Sequence, residues 1–232
     1  MVSADEALVP PNAIEPRPVL GQQVVDQLRR LIITRQLPTG THLVEAQLSA
    51  NFAVSRGPVR DALRQLETEG LVESRRRGSF VIGLGVDDLE ELYGLRQLLE
   101  AEAVRLFMRR PEEQLSEAQG ALEQMEQAAQ AGDPARFAQA DLEFHTAFYA
   151  HAGNRRLASI WAQYRPTFAD MLAVTNTIDR DLGPIYQDHV HLLTAIAKEP
   201  EAKVLPMLRE HIDGSRRRML KAYAQTGPSP SK

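Results

Sequence analysis

The chain contains no cysteine, which excludes disulfides and every metal site built on thiolates. That absence suits a reducing compartment, and the cytoplasm is the expected location. No run of about 18 consecutive apolar residues occurs, so no membrane span is expected. Asp5 and Glu6 stand where a secretory leader would carry a basic stretch ahead of an apolar core, so no leader is expected either. Internal repeats are missing, and so is HExxH, which sets two zinc ligands around a general base. What remains is a chain of 232 residues, 43 % of them hydrophobic, enough for one large or two small domains without covalent staples.

The net charge of −4 is unevenly spread. Residues 18–85 hold nine Arg against six Asp/Glu, residues 86–232 hold 17 Lys/Arg against 22 Asp/Glu, and residues 1–17 add −2. A basic front half and an acidic back half put positive charge where a polyanion would be met, and discourage indiscriminate contact elsewhere.

Residues 1–17, with Pro10, Pro11 and Pro16 and little periodicity, read as a mobile arm. Val24, Val25, Leu28, Leu31 and Ile32 recur at helical spacing within 19–36. Leu37-Pro38-Thr39-Gly40 is a turn. A short helix over 45–52 and a third over 56–69 follow, the latter closed by Gly70. Strand-like runs at 71–74 and 79–82 flank Arg75-Arg76-Arg77-Gly78 and make a hairpin with arginines at its tip. Beyond Gly85 the spacing is helical to the end and predicts six helices. The first is capped by Asp87 or Asp88 and runs to about 110. The second opens at Pro111, the third at Asp133-Pro134, and the fourth follows Asn154 and bends at Pro166. The fifth spans Pro184 to Lys198, and the sixth runs from Pro200 to before Gly227. The expected fold is mostly α: a winged helix-turn-helix over 18–83, an all-α bundle over 86–225 and a disordered tail over 226–232.

The stretch Ser55-Arg56-Gly57-Pro58-Val59-Arg60-Asp61-Ala62-Leu63-Arg64 begins with an N-cap serine. It sets Arg56, Arg60 and Arg64 along one helical stripe, with Val59, Ala62, Leu63 and Leu66 on another. A helix cationic in its first turns, braced by a shorter helix and followed by a basic hairpin, is built to lie in a DNA major groove. Arg56 or Arg60 could fork onto guanine or bridge phosphates, and Ser55 could donate to a phosphate at the helix start. Arg75, Arg76 and Arg77 reach the backbone or minor groove, with Gly78 permitting close approach. Were the arginines merely a solvated face, they would pair with Asp61, Glu67 and Glu69.

These residues, with Glu69-Gly70-Leu71-Val72 and Arg77-Gly78-Ser79-Phe80-Val81, resemble the GntR family of bacterial transcription regulators. The family's usual motif has Thr where Gly57 stands and Glu where Asp61 stands. Relatives often carry a basic residue at the position of Ala46, so one DNA contact is expected to be missing here.

Asp141 and His145 lie four apart on one helix and share a face, while His189 and His211 fall on the last two helices. Three helices of a bundle could bring one carboxylate and three imidazoles together, a set that suits zinc, nickel, manganese or iron(II). Four unrelated polar residues would give the same spacing, and His151 and His191 lack evident partners. Here too there is a resemblance: Asp141…Phe144-His145 with Asn154, Asp188-His189, and Leu208-Arg209-Glu210-His211 are similar to the FCD effector domain of the FadR subfamily. Six helices fit its shorter, VanR-like branch. The resemblance implies a divalent metal, zinc foremost, held by Asp141, His145, His189 and His211, and a small organic acid bound near it. It also implies a homodimer on a pseudo-palindromic double-stranded operator, acting as a repressor. Arg96 is the candidate fork for the acid, with an ion pair to Glu100 as the alternative. Asn154 is a second effector candidate, with a helix cap as its alternative. A regulator whose metal is structural or itself sensed is the competing expectation. A metalloenzyme fused to a DNA-binding module is a weaker one, because no general base is placed for it: Glu143 should point away from the ligands.

Overall fold

The computed structural model describes residues 19–109, 115–179 and 181–226. The arm over 1–17, Pro111 and the tail from Gly227 lie outside them.

The first half is α1 (Val19–Ile33), β1 (His42–Leu43), α2 (Glu45–Asn51), α3 (Arg56–Thr68), β2 (Val72–Arg75) and β3 (Gly78–Val81). Its core is most of the set the periodicity marks: Val24, Val25, Leu28 and Ile32 of α1 against Val59, Ala62, Leu63 and Leu66 of α3, none more than 5 % exposed, while Leu31 is only partly buried. The sheet order is β1-β3-β2, antiparallel throughout. Arg75 pairs with Gly78, so Arg76 and Arg77 alone form the hairpin turn. β1 has two residues, too few for an alternation signal, and only its pairing with Ser79 and Phe80 defines it. Gly70, at φ +74°, ends α3 as a left-handed residue after its C-cap Glu69. Arg29, 1 % exposed, forks onto Glu69 at 2.7 and 2.8 Å and onto Asp26 at 2.8 Å, tying α1 to the end of α3.

The second half is α4 (Val86–Phe107), α5 (Leu115–Ala131), α6 (Pro134–His151), α7 (Arg155–Ile178), α8 (Gly183–Lys198) and α9 (Glu201–Thr226). These six helices match the six expected. α4 starts two to three residues earlier than expected: Gly85 is its N-cap, and Asp88 accepts from the Gly85 N–H at 2.7 Å. Asp133 caps α6 by accepting from the Arg136 N–H at 3.0 Å, with Pro134 at the first helical position. α6 is the central helix, packed by α4, α5 and α7. α9 closes the bundle against α4, α7 and α8.

The halves meet where α1 lies on α7 and α9. Arg30 Nε stands 3.2 Å from Asp170 of α7. Tyr223 of α9 donates its hydroxyl to the Ile33 carbonyl at 2.7 Å, and Arg35 donates back to the Tyr223 carbonyl at 2.8 Å with its guanidinium 4.0 Å over the ring. Each partner thereby satisfies a carbonyl that helix ends leave open. Arg35 holds a left-handed φ of +60° in this clasp, a conformation non-glycine residues keep only where surroundings impose it.

Candidate DNA-binding face and metal centre

The structure lays Arg56, Arg60 and Arg64 along the exposed side of α3, opposite its buried stripe. Arg60 Nε meets Glu45 of α2 at 2.9 Å, and Arg64 stands 3.8 Å from Asp61, both exposed pairs. Exposed pairs of this kind are weak and readily exchanged. Glu67 and Glu69 are otherwise engaged, with Ser74 and Arg29. Among the described residues, Arg56, Arg76 and Arg77 form no ion pair with the protein, and all three are exposed. Arg75 is turned back instead, paired with Glu73 and 4.9 Å over the Phe80 ring.

Two residues of this face carry structural detail that spacing did not show. Ser55 sits at the N-cap of α3 with extended backbone, but its side chain makes no capping hydrogen bond. Its exposed hydroxyl is left for an outside partner. Gly78 is required by the fold itself: φ is +121°, and a Cβ would meet His42 Nε2 at 2.6 Å, where the imidazole stacks on Phe80.

In the bundle, Asp141 and His145 of α6, His189 of α8 and His211 of α9 converge. Asp141 Oδ1 is 3.4 Å from both His145 Nε2 and His189 Nε2, and His211 Nε2 is 3.3 Å from His145 Nε2. One ligand atom from each histidine lies within 4.8 Å of the others. Asp141, His145 and His189 are 2 %, 1 % and 0 % exposed, while His211 is only half-buried. The Phe144 edge packs against both the His145 and His189 rings, at 5.2 and 5.0 Å between centroids, and fixes their separation.

The tautomers follow from the outer partners. His189 Nδ1 is 2.7 Å from the Ile185 carbonyl, which can only accept, so Nδ1 carries the proton and Nε2 presents a lone pair inward. His145 Nδ1 is hydrogen-bonded to Glu100 in the same sense. In their neutral, metal-binding form both inner nitrogens face the Asp141 carboxylate with lone pairs, and His189 Nε2 has no hydrogen-bond partner. Lone pairs set around one point are satisfied by a cation between them, a metal ion or, in its place, a proton on an imidazole. Around a tetrahedral ion about 2.0–2.1 Å from each ligand, ligand atoms stand about 3.3–3.4 Å apart, and three of the six separations, Asp141 to His145, Asp141 to His189 and His145 to His211, are of that length. The donor set and its spacing fit a divalent metal.

Glu100 was not singled out from sequence as part of this centre. Fully buried, it joins Arg96 Nε at 3.0 Å on one oxygen and His145 on the other, the carboxylate–histidine support usual behind a metal ligand. Burial opposes its charge, yet His145 and Arg96 hold the Glu100 carboxyl below its ordinary range. Burial also opposes a charge on Asp141, but the two imidazoles hold its carboxyl well down. His211 is pushed well below the ordinary histidine value by burial and by the neighbouring His189 and His145. The only sequence signal for Glu100 was its spacing, four residues after Arg96 on α4.

Arg96 is thus ion-paired, as its alternative had it, but not fully used. Its Nη1 is buried without a hydrogen bond, and its guanidinium lies 5.3 Å from the Phe168 ring. Asn154 is a correction: it is exposed at the N-cap of α7, its Oδ1 accepting from the Arg156 and Leu157 N–H groups at 3.1 Å, and it does not join the centre. Glu143 points away, to Arg165 at 2.6 Å. His151 does have a partner, Glu117 at 3.0 Å.

Residues 20–82 match the bacterial regulatory proteins, gntR family, and residues 91–214 match the FCD domain. The chain belongs to the GntR family of transcription regulators, with an FCD domain following its winged helix. It is 27 % identical over 218 residues to the gluconate operon transcriptional repressor of Bacillus licheniformis, covering 91 % of this chain and 90 % of that one. It is 32 % identical over 187 residues to the "Probable D-xylose utilization operon transcriptional repressor" of Paenarthrobacter nicotinovorans, covering 80 % and 82 %. A GntR regulator structure from Rhodococcus sp. RHA1 superposes with a TM-score of 0.65 at 25 % identity, over 88 % of this chain and 98 % of that one. E. coli McbR/YncC, at 23 % identity and a TM-score of 0.69 over 90 % and 99 %, shares the fold. This GntR chain is therefore a transcription regulator, and none of its described helices is long and apolar enough to cross a membrane.

Proposed function

We propose that this regulator represses an operator through residues 18–83 and releases it when a small carboxylate binds beside a metal in residues 86–225. The observation that carries this is the inward convergence of Asp141, His145, His189 and His211. Zinc suits the set best, with nickel, manganese and iron(II) as alternatives. The ion would hold an acid oxygen by Lewis-acid attraction; this chain's residues bind and orient the rest. Charge supports an anion: Arg96 offsets Glu100, Asp141 leaves −1, and a divalent ion turns the centre to +1. Arg96 Nη1 and the Tyr149 hydroxyl, the latter within electrostatic reach of Glu100 and Arg96, are buried without hydrogen bonds, and such groups are costly unless something satisfies them. A hydroxylated acid offers both donors and acceptors, and the relatives named for gluconate and D-xylose operons make sugar-derived acids the first to screen.

On DNA, Ser55, Arg56, Arg60, Arg64, Arg76, Arg77 and Gly78 form the contact surface, as a homodimer on a two-fold operator in the cytoplasm. An effector acts only by binding two arrangements unequally. The joint at which those arrangements differ is the α1 clasp, since α9 carries both His211 and Tyr223, and α7 carries both Phe168 beside Arg96 and Asp170 beside Arg30.

A second reading, a metal that is structural or itself the signal, draws on the near-complete burial of three ligands. Metal content by mass spectrometry, after purification without a nickel column or chelator and beside His189→Ala, tests both. One equivalent lost in the variant is expected. Operator release by an added acid then favours the first reading, release by chelator alone the second, and no metal overturns both.

A further inference from the structure

Three of the four convergent side chains are sealed from water, and His211 alone is half-buried. Over it lies a groove of about 300 Å³ between α8 and α9, bounded by Asp188 and His191 on one side and by His211, Gly214, Arg217 and Arg218 on the other. Of the four, His211 lines this groove, and the His189 ring lies 4.4 Å behind it.

The groove carries two carboxylates, Asp188 and Glu210, and two cations, Arg217 and Arg218, which gather beside Gly214 on α9. Gly214 stands inside α9, where glycine weakens a helix by roughly 0.5–1 kcal/mol relative to alanine. A Cβ there would find only ordinary contacts, at 3.7 Å to Arg218 Nη1 and 3.8 Å to Arg217 Nη2. Nothing in the backbone demands glycine, and its absent side chain leaves the two guanidinium groups open across the groove. Arg217 is tethered outward to Glu210 at 2.6 Å. Arg218 is less committed: its Nε faces Asp179 Oδ2 at 3.5 Å, and neither atom makes a hydrogen bond. An incoming carboxylate can pair with this guanidinium in exchange for the long Asp179 contact, then pass inward.

We propose that the α8–α9 groove is the entrance to the buried centre and that Arg217 and Arg218 select anions there. This rests on the metal-centre reading above. The test uses the full zinc-loaded chain and two chelators, anionic EDTA and neutral 1,10-phenanthroline, with zinc release followed in time. Release should accelerate with chelator concentration, as expected if the chelator enters. Gly214→Leu, which fills the groove and favours the helix, should slow both chelators by about an order of magnitude at unchanged zinc content. Arg217→Gln with Arg218→Gln should slow EDTA about three- to ten-fold and leave phenanthroline unchanged, because only the charged probe is steered. Release independent of chelator concentration, or wild-type rates in both variants, overturns the entrance while leaving the metal centre standing. A wild-type chain that holds no zinc overturns the metal-centre reading itself.

Discussion

The recognition helix and the bundle both depend on charged side chains, but they keep them in opposite surroundings. Arg60 and Arg64 are 55 % and 78 % exposed, while Arg96 is 2 % exposed between Glu100 and Phe168. In water a charge costs little to hold and adds little stability, so Arg56, Arg76 and Arg77, and the weakly paired Arg60 and Arg64, remain available to an outside polyanion. In the bundle a charge persists only within a satisfied network, and any atom left over marks a place for something not yet bound. Arg29 shows that the difference is one of surroundings and not of domain: in the DNA-binding half it too is buried, and there it is fully occupied by Glu69 and Asp26.

The sharpest way to break the comparison is Glu100→Ala. It strands Arg96 and His145 in the core, and a loss of about 3–5 kcal/mol in chemical denaturation is expected; a surface-like loss would mean the network is wetter than it looks. The pH dependence of the metal-free protein probes the same network. His211, held below the ordinary value of 6.5, stays neutral when folded and charges when unfolded, so its contribution is lost as pH falls below 6.5. For His145 burial opposes the charge, yet Glu100 and Asp141 raise its pKa, so its contribution is lost as pH rises past 6.5. Melting temperature should therefore peak near that pH without metal. Added metal, which replaces the proton, should remove the alkaline decline.

On the exposed side, Arg60→Ala should leave folding stability within about 0.5 kcal/mol of wild type. It should weaken operator binding by about 1–3 kcal/mol if the side chain reads guanine, measured by titration at fixed salt. Smaller still, changing Arg76 and Arg77 together should lower the slope of log affinity against log salt by about 2, with sequence preference retained. An unchanged slope would take the hairpin tip off the phosphates.

Much of this was legible in sequence because it is local. Val59, Ala62, Leu63 and Leu66 declare a buried stripe by spacing alone, Asp133-Pro134 declares a helix start, and Gly70 a helix end. The four converging side chains were named by resemblance, since spacing showed only that Asp141 and His145 share a face. β1 was not legible, because two residues carry no period and its identity comes from its partner β3. Asn154 was misread toward the effector because a capping asparagine and a ligand-binding one look alike in a string; only its exposed position and its two backbone bonds separate them.

Composition and periodicity by themselves determined a mostly helical chain with a basic, winged front half and a six-helix back half, since those properties depend on neighbours within one or two turns. Tertiary structure decided the rest: that Glu100 stands behind His145, that Arg96 keeps a free donor, that Tyr223 clasps α1, and that His211 alone of the four converging side chains is half-buried. Each of these joins residues far apart in the chain, and burial, tautomer and charge are properties of the packed surroundings that no single segment carries.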